Sequence, residues 1–125
     1  MHPLLFDQGL PRVAPALSSL GLNAHEVGGA GAPPSGGPDH DNCRWCRTHE
    51  AILVTHDRGR RDKAILDALA EYRVHAIFVH SDLRAGPPHC LARALLVAEP
   101  QIDALVAGRH LIRHRLRVKG GLDKR

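Results

Sequence analysis

Aspartates recur in this chain where short apolar runs end: Phe6-Asp7, Thr55-His56-Asp57 and Val79-His80-Ser81-Asp82. A fourth, Asp39, opens the polar segment that leads into Ile52-Leu53-Val54-Thr55. Taken singly, an acid at a strand end is a turn residue or a helix cap. Several brought to one rim would repel one another, and such a cluster persists where a cation compensates it. Hard carboxylate oxygens suit Mg²⁺ or Mn²⁺. An ion of that kind can activate a water and stabilise charge developing at a phosphoryl centre. The basic residues fit a polyanionic partner. Arg58, Arg60, Arg61 and Lys63 form one group, and Arg109, Arg113, Arg115, Arg117, Lys119, Lys124 and Arg125 face a single acid, Asp123, in the last stretch. Such patches attract phosphates, although a solvated basic face reads the same way.

Other constellations offer different chemistry. His40, Cys43, Cys46 and His49 recur every third residue and raise the question of zinc. On a helix, positions spaced by three drift by about 60° per step, so four such ligands do not converge. Asp39, Cys43, Cys46 and Glu50 fall instead on one stripe, which makes the two thiols core residues beneath Asp39. Cys90 is far away in sequence. Among ten histidines, His56 and His80 fall near the acidic rim, where a proton-transfer role is open to them. The Gly28-Gly29-Ala30-Gly31 to Gly36-Gly37 stretch lacks the Lys-Ser/Thr of a phosphate-binding loop and reads as a flexible connection.

The elements that must position these residues alternate in type. Leu4–Phe6, Asn23–Val27, Ile52–Thr55 and Val74–Val79 read as strands. Arg12–Leu20, Asp39–His49, Asp62–Tyr72 and Pro88–Ala98 read as helices, with a further turn or short helix over Gln101–Ala107. Leu111–Val118 alternates as a half-exposed edge strand would, with Arg113, Arg115 and Arg117 on one side. Strands separated by helices imply a three-layer α/β/α domain on a mostly parallel sheet. We expect that domain over 1–118, with a basic tail at 119–125. The 125 residues suffice for one core, built mainly from aliphatic side chains because aromatics are only 3%. Three cysteines do not make a disulfide framework, and the longest apolar runs are too short for a bilayer, so a soluble cytoplasmic protein with no membrane partner is expected.

Leu4-Leu5-Phe6-Asp7-Gln8, the helix to Leu20, Gly21-Leu22-Asn23-Ala24-His25-Glu26-Val27, the helix opened by Asp39 and Ile52-Leu53-Val54-Thr55-His56-Asp57 together resemble small PIN-like proteins over about residues 3–80. The resemblance implies a metal-dependent endoribonuclease, often the toxin of a toxin–antitoxin pair, with RNA as substrate, a cognate antitoxin as partner and a homodimer as the usual assembly. It implies Asp7, Asp39 and Asp57 as catalytic, Mg²⁺- or Mn²⁺-binding acids, oriented by Thr55. Asp62 or Asp41 would assist them. Arg58, Arg60, Arg61, Arg113, Arg115 and Arg117 would hold the RNA backbone. The chain departs from the pattern at Gln8, where an acid is common, and at Asp57-Arg58-Gly59-Arg60, where a second acid is replaced. Asp62 could supply the missing charge. A catalytically degenerate module that binds RNA or protein is the alternative.

Overall fold

The computed structural model describes residues 2–57 and 62–125; Arg58, Arg60 and Arg61, expected to contact RNA, lie outside the described residues. Five parallel strands and one antiparallel strand form a single sheet: β1 (Leu4–Phe6), β2 (Ala24–Glu26), β3 (Ile52–His56), β4 (Ala76–Val79), β5 (Arg113–Leu116) and β6 (Leu122–Lys124), in spatial order 2-1-3-4-5-6. The helices are α1 (Ala14–Ser19), α2 (Asp39–His49), α3 (Lys63–Tyr72), α4 (Ser81–Ala85) and α5 (Pro88–Ala107). This is the three-layer α/β/α arrangement.

The central strands are apolar on both faces because both are covered. Leu4, Phe6, Ile52, Val54, Ile77 and Val79 pack beneath α1, α4 and α5, whereas Leu5, Leu53, Ala76 and Phe78 pack beneath α2 and α3. Burying a Leu, Ile or Phe side chain in such layers stabilises by about 1.5–3 kcal/mol.

Several boundaries differ from the sequence pattern. α1 begins at Ala14, two residues later than expected, with Pro15 in its first turn where a missing N–H is harmless. α5 runs unbroken through Pro100. Leu91, Ala94, Leu95, Ala98 and Ile102 form one buried stripe across that point, and the packing outweighs the single backbone bond that proline removes. α4 follows β4 directly, so Asp82 sits in a first helical turn.

The largest correction concerns the end of the chain. β5 is not an edge strand: it lies between β4 and β6. Residues 119–125 are not simply a tail, because Leu122–Lys124 pair antiparallel with β5 and Leu122 is buried. The turn between them passes through Gly120 and Gly121, both at positive φ. A Cβ on Gly120 would stand 2.5 Å from the Val97 side chain, so glycine is needed there for space as well as for φ.

The connections set the location of a site. β1 leaves through α1 on one face of the sheet, whereas its neighbour β3 leaves through α3 on the other. Chain ends that part in this way open a crevice beyond the carboxyl ends of the two strands. Asp7 and His56-Asp57 are the residues that emerge there.

Candidate functional site at the β1–β3 crevice

Asp7 follows β1 directly, and its backbone N–H donates to the Val54 carbonyl at 2.8 Å, which continues the ladder to β3. Its carboxylate is nearly buried, with 5% exposure. One oxygen accepts from the Gln8 N–H at 2.8 Å and the other from the Thr55 hydroxyl, also at 2.8 Å. Thr55 is itself fully buried, so this neutral-to-charged bond fixes the carboxylate at a cost of about 1.5–3 kcal/mol if removed. Thr55 is thus bonded to Asp7, one of the acids it was expected to orient.

Asp39 is the first residue of α2 and not its cap; Pro38 holds the cap position without a side-chain bond. Asp39 and Asp41 both sit in the first turn, where the helix dipole favours negative charge. Asp7, Gln8, Gly37, Asp39, Asn42 and His56 line one cleft of about 470 Å³. The fold therefore brings Asp7 and Asp39 to a common space. Beneath them, burial pushes the Cys43 thiol up to about 12, with further upward pressure from the charges of Asp39 and Asp7 and a partial offset from Arg113. The two carboxylates thus act on the same buried group.

Asn42 was not among the sequence candidates. It is 3% exposed, and its Oδ1 is buried without a hydrogen-bond partner among the described residues. An unsatisfied buried amide oxygen costs about 1–3 kcal/mol. Asparagine is also a poor helix former beyond the cap, so local propensity does not account for it at the fourth position of α2. The only signal in the sequence was its place one turn after Asp39.

Asp57 has a different environment. Its backbone N–H bonds Val79, toward β4, and its carboxylate is held by two guanidinium groups. Arg115 approaches Oδ2 at 2.7 and 2.8 Å, and Arg125 approaches Oδ1 at 2.9 and 3.2 Å. Arg125 also lies over the Phe78 ring, 3.9 Å from its centroid. Asp57 is not in the lining of the Asp7–Asp39 cleft. Among the described residues, no three His, Cys, Asp or Glu side chains are grouped to hold a metal ion.

Asp62 caps α3, accepting from the Ile65 N–H at 3.4 Å. Asp41 lies 3.7 Å from Arg44 on the exposed side of α2. Arg113 and Arg115 share the face of the sheet that carries Ala76 and Phe78, as their alternation required. Arg113 there donates to the carbonyls of Val74, Ile112 and Leu69, and burial lowers its pKa. Arg115 holds Asp57, and Arg117 is exposed, 3.7 Å from Asp123. Cys43 and Cys46 are core thiols, both pushed upward by burial. His40 and His49 turn elsewhere: His40 contacts Tyr72 and Glu71, and His49 stacks on Trp45. Glu50 leaves the expected stripe, because α2 ends there in a left-handed residue that is exposed. Gln8, in place of an acid, accepts from the Gly36 N–H at 2.9 Å and ties the glycine-rich loop to the site.

No protein-family model, curated protein or solved structure matches the chain. Among the described residues, no helix is long and apolar enough to cross a membrane.

Proposed function

We propose that this protein is a Mg²⁺- or Mn²⁺-dependent endoribonuclease of PIN-like type, with Asp7 and Asp39 as its principal metal-binding acids. The observation that carries the reading is the cleft at the β1–β3 switch point, which is lined both by a buried carboxylate bonded to Thr55 and by a second at the start of α2. The donor set fits a hard divalent ion, since Mg²⁺ is commonly held by one or two carboxylates and retains several waters. When bound, such an ion supplies an activated water and charge stabilisation at the scissile phosphate. Thr55 donates a hydrogen bond to Asp7, and Asp39, in the first turn of α2, lines the same cleft. His56, also in the lining, is placed to move a proton. RNA as the substrate, a cognate antitoxin and a homodimer rest on the sequence resemblance and stand as part of the same proposal.

One observation favours a second reading. Asp57 is neutralised by Arg115 and Arg125, which leaves two acids where the resemblance implies three. A catalytically degenerate RNA-binding module would look the same. Cleavage of a short single-stranded RNA, with Mn²⁺ added to chelator-treated protein, tests the proposal. Cleavage that Asp7→Asn abolishes supports the enzyme. Binding of that RNA without cleavage under Mg²⁺ or Mn²⁺ supports the module.

A further inference from the structure

We infer that Asn42 is the third metal ligand of this site, with its side-chain oxygen taking the place that Asp57 does not fill. The inference rests on the reading of the Asp7–Asp39 cleft as a divalent-cation site. Three observations converge on it. Asn42 is more than nine-tenths buried and lines the same cleft as the two acids. Its Oδ1 accepts no hydrogen bond among the described residues, so an oxygen donor stands there without a donor partner. Asp39 and Asn42 are separated by three positions on α2, which places their side chains on one face of the helix. The amide can turn about its terminal bond, so either end can be presented to the cleft, but only the oxygen can coordinate a cation.

The third acid expected from the strand end is meanwhile committed to two guanidinium groups. A neutral oxygen in its place gives a set of two carboxylates and one amide. That set carries one negative charge fewer than three acids would. The metal-free cleft is then less self-repelling, and the affinity for the ion is correspondingly lower.

The test uses Mn²⁺ alone as the probe, titrated into the full chain by calorimetry and followed by the Mn²⁺ electron-spin signal. Wild type is expected to bind one ion. Asn42→Leu, close in size but without the oxygen, should weaken binding at least tenfold while leaving the metal-free melting temperature equal or higher. Asn42→Asp should bind more tightly than wild type and melt lower without metal, because a third carboxylate is added. If Asn42→Leu binds Mn²⁺ as wild type does while Asp7→Asn does not, the Asn42 assignment is overturned and the cleft reading stands. If wild type binds no Mn²⁺, or Asp7→Asn binds it unchanged, both fall.

Discussion

Asp7 and Asp57 close neighbouring strands in the same way, yet their surroundings differ in kind. Asp7 accepts from a hydroxyl and a backbone N–H, both neutral donors. Asp57 is gripped by two cations from β5 and the segment after β6. Neutral donors hold the first carboxylate beside a cleft, and guanidinium groups hold the second in a largely buried ion pair. Removing one partner of such a pair exposes the desolvation cost of the other, so its structural value can be large even where its chemical role is small. Two acids on one rim thus divide into one that lines a cleft and one that ties β3 to β5 and the end of the chain.

The widest gap between the two should appear in cleavage. Asp7→Asn is expected to lower the single-turnover rate on single-stranded RNA by at least ~100-fold, the upper end of the loss seen when even a partner behind a metal ligand is removed. Asp57→Asn should lower it by less than about tenfold. Equal losses would erase the distinction and return Asp57 to the metal site. The next effect separates the kinds of bond. Thr55→Val removes the hydroxyl from a buried carboxylate and should cost about 1.5–3 kcal/mol in urea unfolding. It should also weaken Mn²⁺ binding, whereas Thr55→Ser should restore both. Loss of stability with unchanged Mn²⁺ affinity would show that Thr55 packs but does not orient.

On the Asp57 side the expected signature is stability. Arg125 is about as buried as its partner, with side-chain exposures of 10% and 13%. Arg125→Ala should destabilise by roughly 1–3 kcal/mol, less than a fully orphaned charge would, because Arg115 remains. Combining it with Asp57→Asn should give a loss smaller than the sum of the two, since the residues share one interaction. Strict additivity in denaturant melts would mean that the pair seen here contributes nothing.

These residues also mark what could be read along the chain. The strands β1 and β3 and the helix α2 were legible, because each is a local pattern: an apolar run, or a polar segment opened by an acid. The crevice followed from their alternation, and with it the pairing of Asp7 with Asp39. The fate of Asp57 was not legible, because its partner Arg125 lies 68 positions away and reaches it only through the β5–β6 hairpin. Gly120-Gly121 was the available signal for that hairpin, but the density of basic residues around it read as a tail. Asn42 was missed because burial, and not residue type, makes its amide informative. The helix expected to stop at Ala98 instead runs on to Ala107, because a continuous apolar stripe carries it through Pro100.

The smallest expected effect tests whether the two acids above Cys43 act on a closed core. Burial is the main cause that raises this thiol, from an ordinary 9.0 to about 12, and Asp39 and Asp7 push it further in the same direction. The folded thiol is therefore still protonated where the unfolded one ionises. Between 9.0 and about 12 the unfolded chain holds fewer protons, so stability is full below pH 9.0 and falls as pH rises through this window. The contribution is bounded by about 1.4 kcal/mol per pH unit for one thiol. Thermal melts at pH 8 and pH 10 should therefore show a drop for wild type that Cys43→Ala makes shallower. The same comparison on Asp39→Asn sharpens the point. Losing one carboxylate lowers the thiol only partly, because burial remains, so it stays protonated at pH 10 and the drop should match that of wild type. A slope in Cys43→Ala equal to wild type would mean that Cys43 is reached by water, and that the floor beneath Asp7 and Asp39 is open.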